Sequence, residues 1–325
     1  MADEPAGTGD SAEMAPGVAA EYIAADANGY HAVNGWLGST GFRTHGLHFK
    51  DLGGHPRGIG DEFLVQTRYL RADRETEASV QAYFVDAGTT MLSRNGQEDV
   101  AGLSTVVLPE GPALEGRLGE LLATRRSVRS YTGAEVDLGR VAALLRAAGG
   151  VSGVGRVALD SGGERSIGFR TAPSAGGLYP IELWLLALRV SGLKRAVWRY
   201  DPRREVLVEE GDEGAIADAV EAFTVPEELM SLSRASLILV LVGRPWRLMR
   251  KYGPRGVRFL FIEAGAMAEN VHLACRSLRL GSVDCASVCD DELHAALRLD
   301  GELRLLTHTI VVGAPGETAA GGDGR

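Results

Sequence analysis

The sequence is poor in cysteine. Its three cysteines, Cys275, Cys285 and Cys289, are an odd and low count for a chain of 325 residues, which argues against a disulfide framework. We therefore expect buried, reduced thiols. The alternative is a metal site formed by Cys285 and Cys289 with His272 or His294, but no second cysteine pair completes a tetrahedral set. The prediction is that the chain holds no metal.

Long apolar runs are also lacking. The strongest run, Leu237–Gly243, has the length of a strand, whereas a membrane span needs ~20 residues. Residues 1–20 lack the basic and apolar regions of a signal peptide, so we expect a cytoplasmic protein that does not bind membranes. The net charge of −9 also disfavours binding to nucleic acid.

Several familiar catalytic and nucleotide-binding motifs are absent. The chain has neither G-x-x-x-x-G-K nor G-x-G-x-x-G, which excludes a P-loop and a Rossmann fingerprint. It has no H-E-x-x-H and no evident Ser-His-Asp order. The chemistry must therefore lie in other segments.

Composition divides the chain into four segments. We predict a disordered tail over 1–20, an accessory region over 21–112, a main domain over 113–316 and a loose tail over 317–325. The accessory region contains two segments rich in aromatic and β-branched residues, Phe63–Leu70 and Ser79–Val85, which are typical of strands.

In the main domain, predicted helices and strands alternate without a regular βαβ repeat. Helices are predicted at Leu114–Arg125, Leu138–Ala148, Glu213–Phe223, Arg255–Leu280 and Asp290–Leu297, with Asp137 and Asp290 as caps. Strands are predicted at Ile181–Val190, Val197–Tyr200, Glu205–Val208, Leu237–Gly243 and Thr307–Val312. The second and third strands flank Asp-Pro-Arg-Arg, which indicates an antiparallel hairpin. This pattern favours an α+β fold.

The first candidate binding segment is rich in arginine. Arg125, Arg126, Ser127 and Arg129 lie within five residues, directly after a predicted helix. Forked guanidinium donors match a phosphate dianion. A solvated helix end that complements the helix dipole is an equally good interpretation of this segment alone.

The second segment is Thr171–Pro180, which contains two adjacent glycines before a predicted buried strand. Glycines let the backbone approach a flat ring or adopt positive φ, and Ser174 can donate a hydrogen bond to a ring carbonyl or a phosphate. An ordinary turn before a strand explains the segment equally well.

A third segment is strongly cationic. Residues 244–258 contain six basic side chains, with Lys251 next to Tyr252. Crowding by other cations favours a neutral amine, which suits a general base. A solvated helix face is the more common explanation of such a run. Downstream, Gly265 interrupts the predicted long helix and indicates close packing against a ligand, a partner helix or the sheet.

Taken in order, these segments resemble the SagB/McbC-type dehydrogenases of the nitroreductase superfamily. The matching pieces are Arg-Arg-Ser-Val-Arg-Ser-Tyr (125–131), Ala-Pro-Ser-Ala-Gly-Gly-Leu-Tyr-Pro-Ile-Glu (172–182), Lys-Tyr-Gly-Pro-Arg-Gly (251–256), Glu-Ala-Gly (263–265) and Val-Val-Gly (311–313). The resemblance covers roughly residues 106–316. It implies a three-layer α/β/α fold with a mostly antiparallel sheet, and a homodimer with one FMN per subunit at the interface.

The resemblance also implies roles for individual residues. Those expected to contact FMN are Arg125, Arg126, Ser127, Arg129, Pro173, Ser174, Ala175, Gly176, Gly281, Ala286 and Ser287, with the 173–176 segment contributed by the partner subunit. Lys251 and Tyr252 are the expected catalytic pair, with Lys251 as the base.

The implied reaction is the oxidation of a thiazoline or oxazoline ring to the azole in a ribosomally made peptide. A cyclodehydratase complex is a further implied partner. Two alternatives remain at this point: a reductase that uses a nicotinamide to reduce a dehydroamino acid or another small electrophile, and a non-catalytic peptide-binding scaffold.

Overall fold

The computed structural model divides the chain into two units, Met1–Arg68 and Tyr69–Arg325. It describes residues 102–158 and 164–316, together with single residues at 63, 64, 67, 68, 78 and 80. In the first unit, the Thr67 amide donates to the Phe63 carbonyl at 3.1 Å, and Phe63 and Leu64 are helical.

In the second unit, residues 102–158 and 164–316 form eleven strands and six α-helices. The strands are β1 (Thr105–Val107), β2 (Val136–Asp137), β3 (Val151–Ala158), β4 (Glu164–Arg170), β5 (Ile181–Ala187), β6 (Val190–Ser191), β7 (Val197–Asp201), β8 (Val206–Gly211), β9 (Leu237–Gly243), β10 (Gly281–Asp284) and β11 (Leu305–Gly313). The helices are α1 (Leu118–Thr124), α2 (Leu138–Gly149), α3 (Glu213–Glu221), α4 (Pro245–Tyr252), α5 (Gly256–Ser277) and α6 (Asp290–Leu297).

Seven strands form the main sheet in the order β1-β8-β7-β5-β9-β11-β10. Every neighbouring pair in it is antiparallel. The β7–β8 hairpin turns at Pro202–Glu205, where the sequence predicts it. The remaining strands form two small pairs, β2 with β6 and β3 with β4.

The central strand β9 explains why the sheet carries helices on both faces. Its seven residues are all buried, and successive side chains of a strand point to opposite faces. Leu237, Leu239 and Leu241 join the core that contains residues of α2 and α5. Ile238, Val240 and Val242 join the core on the other face, with residues of α3 and α6. The α+β fold and its three layers are therefore confirmed.

Local signals fix the ends of several elements. Asp137 caps α2, and its Oδ1 accepts from the Arg140 amide at 2.9 Å, as predicted. The prediction for Asp290 is wrong. Cys289 is the cap residue of α6, without a side-chain hydrogen bond, and Asp290 begins the first turn. An acidic side chain there still complements the helix dipole.

The sequence prediction departs from the structure in three further places. Phe63 and Leu64, and also Val80, are helical rather than extended, so the two predicted strands are wrong at these residues. The hairpin of β3 and β4 and the edge strand β10 were not predicted. Strand β1, N-terminal to the predicted boundary near residue 112, pairs with β8 in the main sheet.

Among the described residues, no helix combines the length and the apolar character that crossing a membrane requires.

Candidate functional site

The arginine-rich segment Arg125–Arg129, here called the arginine turn, lies along the edge strand β10. Ser127 forms a parallel bridge with Ser282, and the Val128 amide donates to the Ser282 carbonyl at 3.0 Å. The side chains of Arg126, Ser127 and Arg129 are exposed. Main-chain hydrogen bonds therefore hold the turn while its polar side chains face outward.

Gly281 makes this close approach possible. A Cβ added at Gly281 would lie 2.6 Å from Cγ1 of Val128, so any larger residue would push the arginine turn away from β10. The structure thus joins two predicted cofactor segments. Ala286 and Ser287 lie past the other end of β10, where the Ser287 carbonyl accepts from the Thr224 amide at 2.9 Å.

Two of the arginines already have partners on the protein. The Arg126 guanidinium donates to the carbonyls of Ala123 and Arg125 at 3.0 and 2.7 Å, as expected of a basic residue at a helix C-terminus. Arg125 Nε lies 3.9 Å from the Glu269 carboxylate in α5. Both contacts are at least partly exposed, so an incoming anion can compete with them.

Within the second predicted segment, Thr171–Pro180, residues Ser174–Tyr179 form a turn with unusual backbone angles, here called the glycine turn. Gly176 and Gly177 have φ of 63°, and Tyr179 has φ of 48°. Positive φ is costly for a residue with a side chain, and such residues cluster at functional sites. The conformation must therefore be held in place by its surroundings.

Residues of two other elements, α4 and β4, fasten the glycine turn. Arg247 in α4 donates to the Tyr179 carbonyl at 3.0 Å. The Tyr179 hydroxyl accepts from the Arg170 amide at 3.1 Å, and the Arg170 guanidinium lies 4.9 Å from the Tyr179 ring centroid. Within the turn, Ser174 Oγ accepts from the Tyr179 amide at 2.8 Å. The Ser174 hydroxyl is therefore engaged with the protein rather than directed outward.

Lys251 and Tyr252, the predicted catalytic pair, converge on this turn. A Cβ added at Gly176 would lie 2.7 Å from Tyr252 Oη and 2.9 Å from Lys251 Nζ. Lys251 is only 5% exposed, and its Nζ lies 5.2 Å from the Tyr252 ring centroid. Two segments more than seventy residues apart in the sequence thus meet at one glycine.

The cationic stretch is not the solvated helix face that its composition favours. Arg244, Arg247 and Lys251 are 7%, 5% and 5% exposed, and their spacing of three and four residues places them on one face of α4. Arg250, on the other face, is exposed. The spacing of these three residues could have predicted their burial, whereas the number of charged residues in the segment could not.

Glu182 offsets part of this buried positive charge. Its carboxylate lies 2.5 Å from Arg244 Nε and 3.1 Å from Arg304 Nη2. Burial alone would raise the pKa of Glu182, but the two guanidiniums hold it below its ordinary value. An ionised carboxylate in β5 thus links the two residues that directly precede α4 and β11.

Glu263 in α5 is a candidate functional residue, to which sequence reasoning assigned no role although it belongs to the matching Glu-Ala-Gly piece. It is 3% exposed, and its Oε2 is buried without a hydrogen-bond partner in the described part of the chain. Burial raises its pKa to about 7, although Ser174 and Arg170 oppose the shift. A buried carboxyl with a strongly raised pKa beside a strained turn marks a candidate active site.

Helix α5 separates the two turns. Glu269 contacts the arginine turn and Glu263 contacts the glycine turn. Six helical residues correspond to a rise of about 9 Å and a rotation that leaves the two side chains about 120° apart. The two predicted halves of the site therefore lie against different faces of α5 within one subunit.

His272 and His294, the histidines considered for a metal site, are hydrogen-bonded to other residues of the protein. His272 is hydrogen-bonded to Ser282 at 2.9 Å and to Asp284 at 3.0 Å, and His294 Nε2 accepts from the Leu306 amide at 2.9 Å. Burial raises the pKa of Cys275 to about 12, which keeps it a thiol. Within the described ranges, no three His, Cys, Asp or Glu residues form a group that could hold a metal.

Comparison with known proteins agrees with this architecture. The model of the Nitroreductase family matches residues 122–314, more than half of the chain. A protein of Methanocaldococcus jannaschii, named as a candidate nitroreductase, is 33% identical over 190 residues, which are 57% of this chain and 86% of that protein.

Two solved structures share the fold. A candidate nitroreductase of Ralstonia eutropha has a TM-score of 0.51 at 24% identity, covering 69% of this chain and 95% of its own. A candidate nitroreductase of Anabaena variabilis has a TM-score of 0.53 at 18% identity, covering 68% of this chain and 43% of its own. The matched family segment contains both turns and the Lys-Tyr pair. The chain therefore belongs to the nitroreductase family, and it is an oxidoreductase.

Proposed function

We propose that this oxidoreductase is an FMN-dependent dehydrogenase of the SagB/McbC type, which oxidises azoline rings to azoles in a ribosomally made peptide. The observation that carries the proposal is the convergence of Lys251 and Tyr252 on Gly176. It places a buried amine and a phenol at the turn where the resemblance expects the flavin.

The donors for the cofactor suit a phosphate and a planar ring. Arg126, Ser127 and Arg129 present exposed donors, and a guanidinium fork matches a phosphate dianion. We assign the phosphate and the ring edge to Arg125, Arg126, Ser127 and Arg129. The other edge of the ring is assigned to the backbone at Gly281, Ala286 and Ser287, and the contribution of the partner subunit to Pro173, Ser174, Ala175 and Gly176.

A homodimer would bring the two halves together. The turns lie on different faces of α5, so the arginine turn of one subunit needs the glycine turn of another. Helix α5 carries an exposed apolar stripe, with Phe261 49% and Ile262 67% exposed beside the exposed Gly265. In α1, Leu118 and Leu122 are 63% and 52% exposed. Contiguous apolar surface of this kind is typical of an interface.

The residues of the chain supply binding, orientation and proton transfer. When bound, FMN supplies a hydride acceptor. Lys251 takes the proton that leaves the neighbouring ring atom, so one proton and one hydride depart together. Tyr252 orients the Lys251 amine, and its own ring is held by an edge contact with Phe259 at 5.1 Å between centroids. Enclosure of Lys251 excludes water from the proton transfer.

The test uses a synthetic peptide with one thiazoline ring and the FMN-loaded protein. Lys251→Ala should lower the oxidation rate by roughly 10²–10⁴-fold, as expected for a general base, while FMN stays bound. Lys194→Ala is the matched control, because Lys194 is exposed and pairs with Glu209. Oxidation at the wild-type rate in Lys251→Ala would refute the mechanism.

A second candidate is a reductase that transfers a hydride from NADH or NADPH through the flavin to a dehydroamino acid or another small electrophile. The family match and the name of the Methanocaldococcus relative favour it. Anaerobic mixing with NADH or NADPH separates the two candidates. Rapid bleaching of the flavin would support the reductase, and a stable oxidised spectrum would support the dehydrogenase.

The domain bounds, the location and the partner of the protein are part of the same proposal. We propose that the flavin domain spans residues 113–316, that residues 21–112 are accessory to it, and that the protein acts in the cytoplasm on a peptide delivered by a cyclodehydratase. Co-purification of the full chain with such a complex would test this last association.

A further inference from the structure

Four side chains form a continuous series of hydrogen bonds on one face of the edge strand β10. His272 in α5 is bonded through Nδ1 to Ser282 Oγ at 2.9 Å and through Nε2 to Asp284 Oδ1 at 3.0 Å. His308 in β11 reaches the same Asp284 oxygen through its own Nε2 at 2.6 Å. Asp284 is exposed, whereas His272 and Ser282 are buried. The series therefore begins at the surface and ends inside the protein.

The alternation of residues in β10 explains how one ring reaches two of them. Ser282 and Asp284 are two residues apart, so their side chains point to the same face of the sheet. Val283, between them, joins the core on the face of α3 and α6. Ser282 and Asp284 therefore face α5, and His272 spans them from that helix. Two bonds from a single ring hold the strand against α5.

The charge of Asp284 determines which atoms donate. Partial burial alone would raise the pKa of Asp284, but hydrogen bonds from His308 and His272 hold it below its ordinary value. An ionised carboxylate can only accept, so Nε2 of His272 carries the hydrogen in that bond. In a neutral ring Nδ1 then accepts from the Ser282 hydroxyl, and in a charged ring Nδ1 donates to the same oxygen. The bond to Ser282 is available in both states of the ring.

Ser282 is also the residue to which the arginine turn is attached. Its carbonyl accepts from the Val128 amide at 3.0 Å, and it forms the parallel bridge with Ser127. The preceding residue, Gly281, leaves no room for a Cβ beside Val128. The side chain of Ser282 is thus held by His272 while its main chain holds the turn, so a displacement of β10 at this point would move the turn.

We propose that His272 is a positioning residue of the arginine turn: its bond to Ser282 fixes the part of β10 that carries the turn, and so sets where the donors of the turn meet a phosphate. The inference deepens the proposed function and rests on it for the role of the arginine turn. The attachment of the turn through His272 does not depend on which substrate is oxidised.

Three substitutions separate the two bonds of His272. Nδ1 is as many covalent bonds from Cβ as the side-chain nitrogen of asparagine, and Nε2 as many as that of glutamine. His272→Asn can therefore keep the bond to Ser282, His272→Gln can keep the bond to Asp284, and His272→Leu keeps neither. His294→Leu is the matched control, because it removes a histidine of α6 whose Nε2 accepts from the Leu306 amide at 2.9 Å.

The experiment measures hydrogen exchange at the Val128 amide in the purified protein incubated with excess FMN. Exchange at the Val240 amide, in a strand that is paired on both sides, reports opening of the whole sheet and corrects for changes in global stability. We expect His272→Leu and His272→Gln to lower Val128 protection roughly tenfold relative to Val240, the effect of one lost hydrogen bond. His272→Asn and His294→Leu should stay close to the wild type.

The proposal is overturned if His272→Leu keeps wild-type protection of Val128, or if His272→Asn protects Val128 no better than His272→Gln. The second comparison uses two polar side chains, so it remains decisive even where leucine impairs folding. Higher protection in His272→Asn than in His272→Gln supports the bond to Ser282 as the one that holds the turn.

A second readout separates this inference from the proposed function. The dissociation constant of FMN, measured by quenching of flavin fluorescence, should rise roughly tenfold in His272→Leu and His272→Gln and return towards the wild-type value in His272→Asn. Loss of Val128 protection with unchanged FMN affinity would remove the cofactor-binding role of the arginine turn and leave its attachment through His272 in place. Unchanged Val128 protection would remove the positioning role alone.

Discussion

The arginine turn and the glycine turn are held in opposite ways. The arginine turn lies on the edge of the sheet, bound by main-chain hydrogen bonds to Ser282, with its charged side chains exposed. The glycine turn has three residues at positive φ and is fastened by side chains from β4 and α4. The arginine turn presents charged side chains to a ligand, whereas the glycine turn presents a fixed backbone conformation.

This difference predicts how each turn responds to change. Contacts made by exposed charges are screened by salt and tolerate small displacements. A strained backbone conformation persists only while its surroundings enforce it. Substitutions at the glycine turn should therefore abolish function, whereas substitutions at the arginine turn should weaken cofactor binding in graded steps.

The largest effect is expected from Gly176→Val. A side chain at φ of 63° is strained, and its Cβ would collide with Tyr252 and Lys251. Displacement of the catalytic pair by about 1 Å should lower turnover on the order of 10²-fold. The measurement is oxidation of the thiazoline peptide.

Gly119→Ala is the control for this substitution, since an added Cβ there meets nothing within 4 Å. Alanine in an exposed helix is favoured by roughly 1 kcal/mol over glycine, so this variant should be active and slightly more stable. An active Gly176→Val would show that the left-handed turn is dispensable.

The next effect is on stability, from Glu263→Gln. The native pKa of Glu263 is raised from 4.5 to about 7, so between these values the folded state binds more protons than the unfolded state. The free energy of unfolding of the wild type should therefore fall as pH rises through this window. Glu263→Gln should lack this contribution, which amounts to about 3 kcal/mol at most.

Urea unfolding at about pH 4 and about pH 8 measures this difference. The variant should gain stability relative to wild type at the higher pH. Parallel pH profiles for the two proteins would mean that Glu263 does not retain its proton in the folded state.

A smaller, graded effect is expected at the arginine turn. Arg126→Ala and Arg129→Ala should each weaken FMN binding by roughly 10–100-fold, the loss of one hydrogen bond between charged groups. The penalty should shrink as salt is added. Arg195→Ala, which removes an exposed arginine paired with Glu213, is the control in the same FMN titration. Wild-type affinity in both turn variants would place the phosphate elsewhere.

The smallest effect is expected from Glu269→Ala. Its ion pair with Arg125 spans 3.9 Å, with both side chains more than a third exposed. Exposed pairs of this kind contribute about 1 kcal/mol or less, so the melting temperature should barely change. A large loss of stability would show that this pair anchors the arginine turn to α5.

Strong local patterns made much of the fold predictable. The bounds of β9 were predicted as observed because seven apolar residues in a row suit a strand that is buried on both faces. The start of α2 was predictable from Asp137, whose side chain caps the helix. Both signals lie within a few neighbouring residues. Phe63 and Leu64 show the limit, since aromatic and β-branched composition indicated a strand where the chain is helical.

The site was only partly predictable because its contacts are distant in sequence. The motifs marked Gly176, Lys251 and Tyr252, but nothing local states that they meet. Glu263 lies near Ser174 although 89 residues separate them in the sequence, and its raised pKa results from burial that only the folded chain creates. The burial of Arg244 and Arg247 was not predicted, because charged residues are usually exposed. Their helical spacing did indicate that they share one face.

We propose that this member of the nitroreductase family binds FMN between the two turns, and the visible absorption spectrum of the purified protein is the simplest test of that proposal. We expect flavin absorbance bands with one FMN per subunit, reduced in the Arg126→Ala and Arg129→Ala variants. A protein that shows no flavin bands, and gains none after incubation with excess FMN, would contradict it.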